Sequence, residues 1–130
     1  MASKAIDQSR FEALMGKALT DIGGALAVLM AYMGDRLGLY RVLDENGPGT
    51  SAEIAARAGL DERYVREWLS AVAAAGYVDY DAAGESFSLS PEAALIFAAE
   101  GDPRCLQGFF QAVKSVYDDE EKSTKASSKL

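Results

Sequence analysis

The chain has 130 residues, of which 49% are hydrophobic and 25% charged, the composition of one soluble domain with a single core. It contains no histidine and one cysteine, Cys105, so a zinc site, a histidine-based acid-base pair and an internal disulfide are all excluded, and most hydrolase mechanisms with them. A net charge of -7 and a pI near 4.5 disfavour unspecific attraction to phosphate backbones and anionic membranes.

No basic stretch, apolar core and cleavage site open the chain, and the apolar run from Ile22 to Met33 is too short to span a bilayer, which predicts a soluble, cytoplasmic protein. From Ile6 to Leu37 the residues Phe11, Leu14, Met15, Leu19, Ile22, Leu26, Leu29, Met30, Met33 and Leu37 recur at the spacing of one helical face. Gly23 and Gly24 interrupt this run, and because each glycine costs roughly 1 kcal/mol against alanine the pattern predicts two helices, 7–20 and 24–36, with a break or a close crossing between them. So broad an apolar surface exceeds what one small domain needs and predicts burial against a second chain or another domain, most simply as a homodimer.

Leu37, Tyr40 and Leu43 continue a helical stripe beyond a kink permitted by Gly38, and Asn46 to Gly49 form a turn with φ fixed at Pro48. Thr50 and Glu53 have the spacing of a capping box, so a helix begins there and ends at Gly59, where a positive φ closes it. Asp61 caps the next helix, which runs to Ala75, and Leu60 and Val65 have the spacing of a hydrophobic staple. Two helices so close together, separated by a glycine turn, are a helix-turn-helix. Tyr77, Val78 and Tyr80 then face Phe87 and Leu89 across a turn with Gly84 as its turn residue, which adds a two-stranded wing over residues 50–90.

Ser90 caps a further helix with Pro91 at its first position, and Gly101 is expected to end it. Asp102 and Pro103 repeat the device and open a last helix with Leu106, Phe109, Phe110, Val113 and Val116 on one face. Residues 118–130 offer no large apolar residue to bury until Leu130, which predicts a disordered tail after an ordered domain of residues 1–117. The fold class is thus mainly α: a winged helix-turn-helix with a two-stranded β-wing and extra N- and C-terminal helices.

The strings ArgLeuGlyLeuTyr at 36–40, ThrSerAlaGluIleAlaAlaArgAlaGlyLeu at 50–60, ArgTyrValArgGluTrpLeu at 63–69 and GlyTyrValAspTyr at 76–80 carry a resemblance. The chain resembles the N-terminal winged-helix domain of bacterial class I S-adenosylmethionine-dependent methyltransferases over about residues 5–117. The resemblance implies a dimerisation and substrate-enclosing module that precedes a Rossmann-like catalytic domain, whose cofactor loop is a glycine-rich turn between strand and helix. No such unit is present here. Gly47-Pro48-Gly49 follows a helix and lacks a third glycine, so the chain by itself is expected to bind no S-adenosylmethionine and to catalyse nothing.

As candidate substrate-lining residues we take Met15, Met30, Tyr32, Met33, Tyr64 and Trp68. The thioethers are adaptable, the two aromatics lie four apart on one helix, and the resemblance implies that the helix before ArgLeuGlyLeuTyr faces the acceptor. Core packing is the plainer reading of the same residues. Candidate dimer contacts are Phe11, Leu19, Leu26, Phe109, Phe110 and Val113. Two other functions stay open: a DNA-binding regulator, and a free-standing module that encloses an apolar small molecule. Against the first, the helix from Asp61 carries Asp61, Glu62 and Glu67 beside Arg63 and Arg66, and the wing has Asp79, Asp81 and Glu85 with no base. The terminal Ser128, Lys129 and Leu130 match a peroxisomal address, which has meaning only in a eukaryotic cell.

Overall fold

The structure, a computed structural model, describes residues 4–128. Helix α1 (Gln8–Arg36) leads into α2 (Leu39–Asn46), α3 (Ser51–Ala58) and α4 (Glu62–Ala74), followed by the antiparallel pair β1 (Asp79–Asp81) and β2 (Ser86–Ser88), then α5 (Pro91–Phe97) and α6 (Gln107–Ser128). The architecture is the winged helix-turn-helix expected, framed by two long helices.

Local chemistry sets most of the boundaries. The Asp7 carboxylate accepts the Arg10 N–H at 3.1 Å and starts α1. Gly38, at φ 72°, turns the chain into α2. Before α3 the Thr50 hydroxyl accepts the Glu53 N–H while the Glu53 carboxylate accepts the Thr50 N–H, both at 3.2 Å. Gly59 ends that helix at φ 69°, and Asp61 accepts the N–H groups of Arg63 and Tyr64 to start α4.

The capping box yields two expected results. Thr50→Ala should lower stability by about 1 kcal/mol, read as a shift in the urea midpoint. The Glu53 carboxyl is held below its ordinary value near 4.5, first by the Thr50 N–H, then by the Thr50 hydroxyl, with Arg57 adding to the pull. Because the folded value is the lower one, this contribution is complete above the unfolded value and is lost as pH falls through the folded one. Glu53→Gln should therefore flatten the acid limb of the stability curve below about pH 4.5.

Three expectations are corrected. First, α1 is one continuous helix through Gly23 and Gly24, and a Cβ at either would meet nothing within 4 Å, so no other helix crosses there. A helical glycine weakens the helix but keeps its N–H, and the flanking turns propagate through it. The whole of α1 is also long and apolar enough to cross a membrane by length and composition, with mean hydropathy 1.4 in its most apolar stretch, although the run Ile22 to Met33 alone is too short.

Second, α5 ends at Phe97 rather than Gly101. Its last carbonyls are taken by the following loop, with Leu106 N–H donating to Ile96 and the Gln107 side chain to Phe97, both at 2.9 Å. The last helix consequently begins at Gln107, beyond the Asp102-Pro103 turn. Third, residues 118–128, expected to be disordered, continue α6, supported by the Lys114–Asp118 and Glu121–Lys125 pairs one turn apart. Residues 129 and 130 of the terminal tripeptide lie outside the described residues. Gly84 lies in the wing turn, as expected, and the left-handed residue of that turn is Glu85, at φ 49°. A four-residue turn over 82–85 puts that conformation on the residue entering β2.

The core sits where α1, α2, α3 and α4 meet, around Leu39, Leu43, Ile54, Val65, Leu69 and Val72. A column of rings extends it outward. Trp68 meets Tyr40 edge-on at 5.1 Å, Tyr40 stacks on Phe97 at 4.7 Å, and Phe97 faces Phe110 at 5.8 Å, so α4, α2, α5 and α6 are joined in sequence.

Candidate functional site

Two features present chemistry that the fold does not consume. The first is a cleft of about 290 Å³ between the second half of α1 and α4, lined by Met30, Met33, Tyr64, Glu67, Trp68 and Ala71. Trp68 is its fixed floor. The indole N–H donates to the Met30 carbonyl at 2.9 Å, and Gly34, one turn on, lets the ring lie against the α1 backbone. Trp68 itself is buried, whereas Tyr64 is 40% exposed and forms the rim. The two thioethers and two aromatic rings make an apolar surface that can change shape around a ligand. Nothing in the cleft can act as a catalytic base except Glu67, which is solvated and lies 3.6 Å from Arg63.

Of the six substrate-lining candidates, the structure brings together Met30, Met33, Tyr64 and Trp68. Met15 is exposed on the other half of α1, about 22 Å away along the axis at 1.5 Å per residue. Tyr32 is turned toward α6, where the Lys114 ammonium lies 5.9 Å from its ring.

The second feature is an uncovered apolar stripe. Phe11, Leu14, Met15, Leu19, Ile22 and Leu26 are exposed along α1, and Phe109, Val113 and Val116 are exposed on α6. Five of the six dimer candidates, Phe11, Leu19, Leu26, Phe109 and Val113, lie on this surface. Phe110 does not: at 8% exposure its ring closes the aromatic column inside the chain. Adjacent positions on a helix point about 100° apart, and only the docking of α6 on α1 decides which of Phe109 and Phe110 turns inward.

Two further places were not legible in the sequence. One is an open groove of about 610 Å³ between α3, α4 and the wing, with Ser51, Glu62, Arg66, Tyr80 and Phe87 among its walls. The other is a small cavity beside Tyr40, whose hydroxyl is buried and finds no hydrogen-bond partner in the protein. Removing that hydroxyl should leave stability unchanged or raise it by up to about 1 kcal/mol, since a buried unpaired hydroxyl is destabilising. Urea denaturation of Tyr40→Phe measures this.

The electrostatics of α4, the second helix of the helix-turn-helix, do not suit a phosphate backbone. Arg63 is 3.6 Å from Glu67 and Arg66 is 3.9 Å from Glu62, so each guanidinium has a carboxylate one turn away. Gly47 terminates α2 and Gly49 forms a two-bond bridge to Phe87, with N···O distances of 3.0 and 2.8 Å, so Gly47-Pro48-Gly49 is a helix stop and a wing contact and does not fit a cofactor loop. Among the described residues no group of three or more His, Cys, Asp or Glu is placed to hold a metal ion.

A profile described as the Rv2258c-like winged HTH domain matches residues 24–98. No curated protein sequence matches the chain significantly. Among solved structures, the mitomycin 7-O-methyltransferase MmcR is similar with a TM-score of 0.65 at 21% identity, over 75% of this chain and 28% of that one. PigF, solved with SAH, is similar with a TM-score of 0.68 at 18% identity, over 85% of this chain and 33% of that one. The N,N-8-amino-8-demethyl-D-riboflavin dimethyltransferase RosA from Streptomyces davawensis gives a TM-score of 0.52 at 25% identity, over 82% and 28%. The chain therefore spans a third or less of the length of these structures.

Proposed function

The chain belongs to the Rv2258c-like winged HTH domain family, and from that premise we propose that it is the dimerisation and substrate-lid module of an S-adenosylmethionine-dependent methyltransferase. In this reading a separate catalytic domain holds the cofactor. The present chain pairs two protomers and closes over the acceptor.

The observation that carries the reading is the apolar stripe of α1, which no part of the described chain covers. Large exposed apolar surfaces mark association sites. A helix that leaves one half on its own domain and projects the other is suited to exchanging contacts with a second copy. The likeness in fold to methyltransferases supports the reaction class. The contribution to chemistry would be exclusion of water and orientation of the acceptor: Met30, Met33, Tyr64 and Trp68 supply one apolar wall, and the methyl donor would come from the catalytic domain.

Sedimentation equilibrium of the purified chain should give a dimer mass at micromolar concentration, and a monomer throughout would reject the dimerisation role. Calorimetric titration with S-adenosylmethionine should give no saturable heat with this chain alone. A stoichiometric heat would place a cofactor site here and reject the division of labour. The DNA-binding alternative would require competitor-resistant binding to duplex, which the paired arginines of α4 and the acids of the wing oppose.

A further inference from the structure

The outer strand of the wing presents an unpaired edge that the proposed function does not use. Gly49 pairs with Phe87 through two bonds, the Gly49 N–H donating to the Phe87 carbonyl at 3.0 Å and the Phe87 N–H to the Gly49 carbonyl at 2.8 Å, so the Phe87 backbone groups face away from β1. In an antiparallel ladder, opposite residues alternate between bonded and non-bonded pairs. Tyr80, opposite Phe87, therefore belongs to a non-bonded pair, and its own N–H and C=O point to the far side of β1. Among the described residues no strand lies there: the sheet has the order β1-β2, and Asp79, Tyr80 and Asp81 are all exposed.

The side chains beside this edge differ between its two faces. The Tyr80 ring lies 4.8 Å from that of Phe87 and forms one wall of the groove of about 610 Å³ between the wing, α3 and α4. Asp79 and Asp81 project to the other face, because successive side chains of a strand alternate. Asp81 accepts the Ala83 N–H on one oxygen at 3.1 Å and keeps the second. Acids on an edge repel another acidic edge. A copy of this chain cannot neutralise them in register, since the chain carries a net charge of -7 and no two of its Lys or Arg residues stand two apart in sequence. An extended segment with bases at that spacing turns the repulsion into attraction on one face and offers its intervening side chain to the groove on the other.

We propose that the edge of β1 is the docking site for a basic extended segment of another protein, which adds to the wing as an antiparallel strand. Its central residue exchanges both main-chain bonds with Tyr80 and, standing directly opposite, lays an apolar or aromatic side chain against the Tyr80 ring at the groove. The residues before and after it are Lys or Arg and meet Asp81 and Asp79. Main-chain bonding supplies the affinity, and the order base, apolar residue, base supplies the selectivity. The edge shares no residue with the α1 stripe, so the inference stands whether or not the chain dimerises.

The test is an amide NMR titration of the full chain with the acetylated, amidated peptide Thr-Val-Lys-Phe-Lys-Val-Thr, beside its counterpart with Glu in place of both Lys. The Lys peptide should give saturable shifts centred on residues 78–82, with the Tyr80 amide among the largest, and should bind more weakly as salt is added. The Glu peptide should not bind. Tyr80→Thr keeps the outward N–H and should retain weakened binding, whereas Tyr80→Pro removes that N–H, which an edge strand tolerates, and should lose it. Replacing Asp79 and Asp81 together by Asn leaves the ladder intact, should weaken binding about five-fold or more, and serves if the proline variant misfolds. Equal binding of the two peptides, shifts centred on the α1 stripe, or an undiminished response in the proline and asparagine variants would each overturn the proposal.

Discussion

Gly34→Ala should destabilise the chain by about 3 kcal/mol or more, a fall in melting temperature on the order of 12 °C for a domain of this size. A Cβ at this position would stand 2.2 Å from Cζ2 and 2.9 Å from Cε2 of Trp68, and 2.8 Å from Cε2 of Tyr40. None of these atoms can yield cheaply. The indole is pinned by its bond to the Met30 carbonyl, and Tyr40 is held between Trp68 and Phe97. Relief would have to come from lifting α1 off α4, which breaks the crossing that forms the candidate cleft. Gly24→Ala is the control, since its Cβ would meet nothing within 4 Å. There the ordinary helix preference applies, and stability should rise by about 1 kcal/mol. Chemical denaturation of the two variants side by side measures both. Equal effects at the two sites would mean that α1 does not lie on Trp68 as described.

This contrast also shows which parts of the structure could be read from the sequence. Gly23, Gly24 and Gly34 are chemically identical, and only a partner far along the chain makes Gly34 indispensable. By comparison, Thr50 with Glu53, Gly59, Asp61 and Gly38 act on backbone groups within a few residues, so their spacing alone locates the helix-turn-helix. The end of α5 was misplaced because it depends on Gln107 and Leu106 returning to cap Phe97 and Ile96. The continuation of α6 was missed because exposed one-turn pairs such as Glu121–Lys125 support a helix without any apolar periodicity. In the candidate cleft, Tyr64 and Trp68 were recognisable as neighbours on one helix. That Met30 and Met33 join them, while Met15 and Tyr32 do not, is fixed by which side of α1 rests on α4. Tyr40 gave no sign of its unpaired hydroxyl, since a tyrosine within an apolar stripe reads as core.

The second large effect concerns the surface that the proposed function assigns to a partner protomer. Leu19→Glu and Leu26→Glu should each convert the dimer to monomer while leaving the fold of the monomer intact. Leu19 is 59% and Leu26 55% exposed in the isolated chain, so neither change removes a core contact. In a dimer the accounting differs. Burying a leucine is worth about 1.5–3 kcal/mol, and a two-fold axis introduces every substitution twice. Each variant should therefore forfeit at least about 3 kcal/mol of association, a rise in dissociation constant of 100-fold or more, before the added cost of burying a carboxylate. Sedimentation equilibrium reads the mass, and a melt at low concentration reads the monomer. The combination distinguishes the alternatives: a changed mass with an unchanged monomer melt assigns the stripe to a second copy of the chain. A wild-type protein already monomeric, and no less soluble than its glutamate variants, would leave the stripe without that role and remove the main support for a dimerisation module.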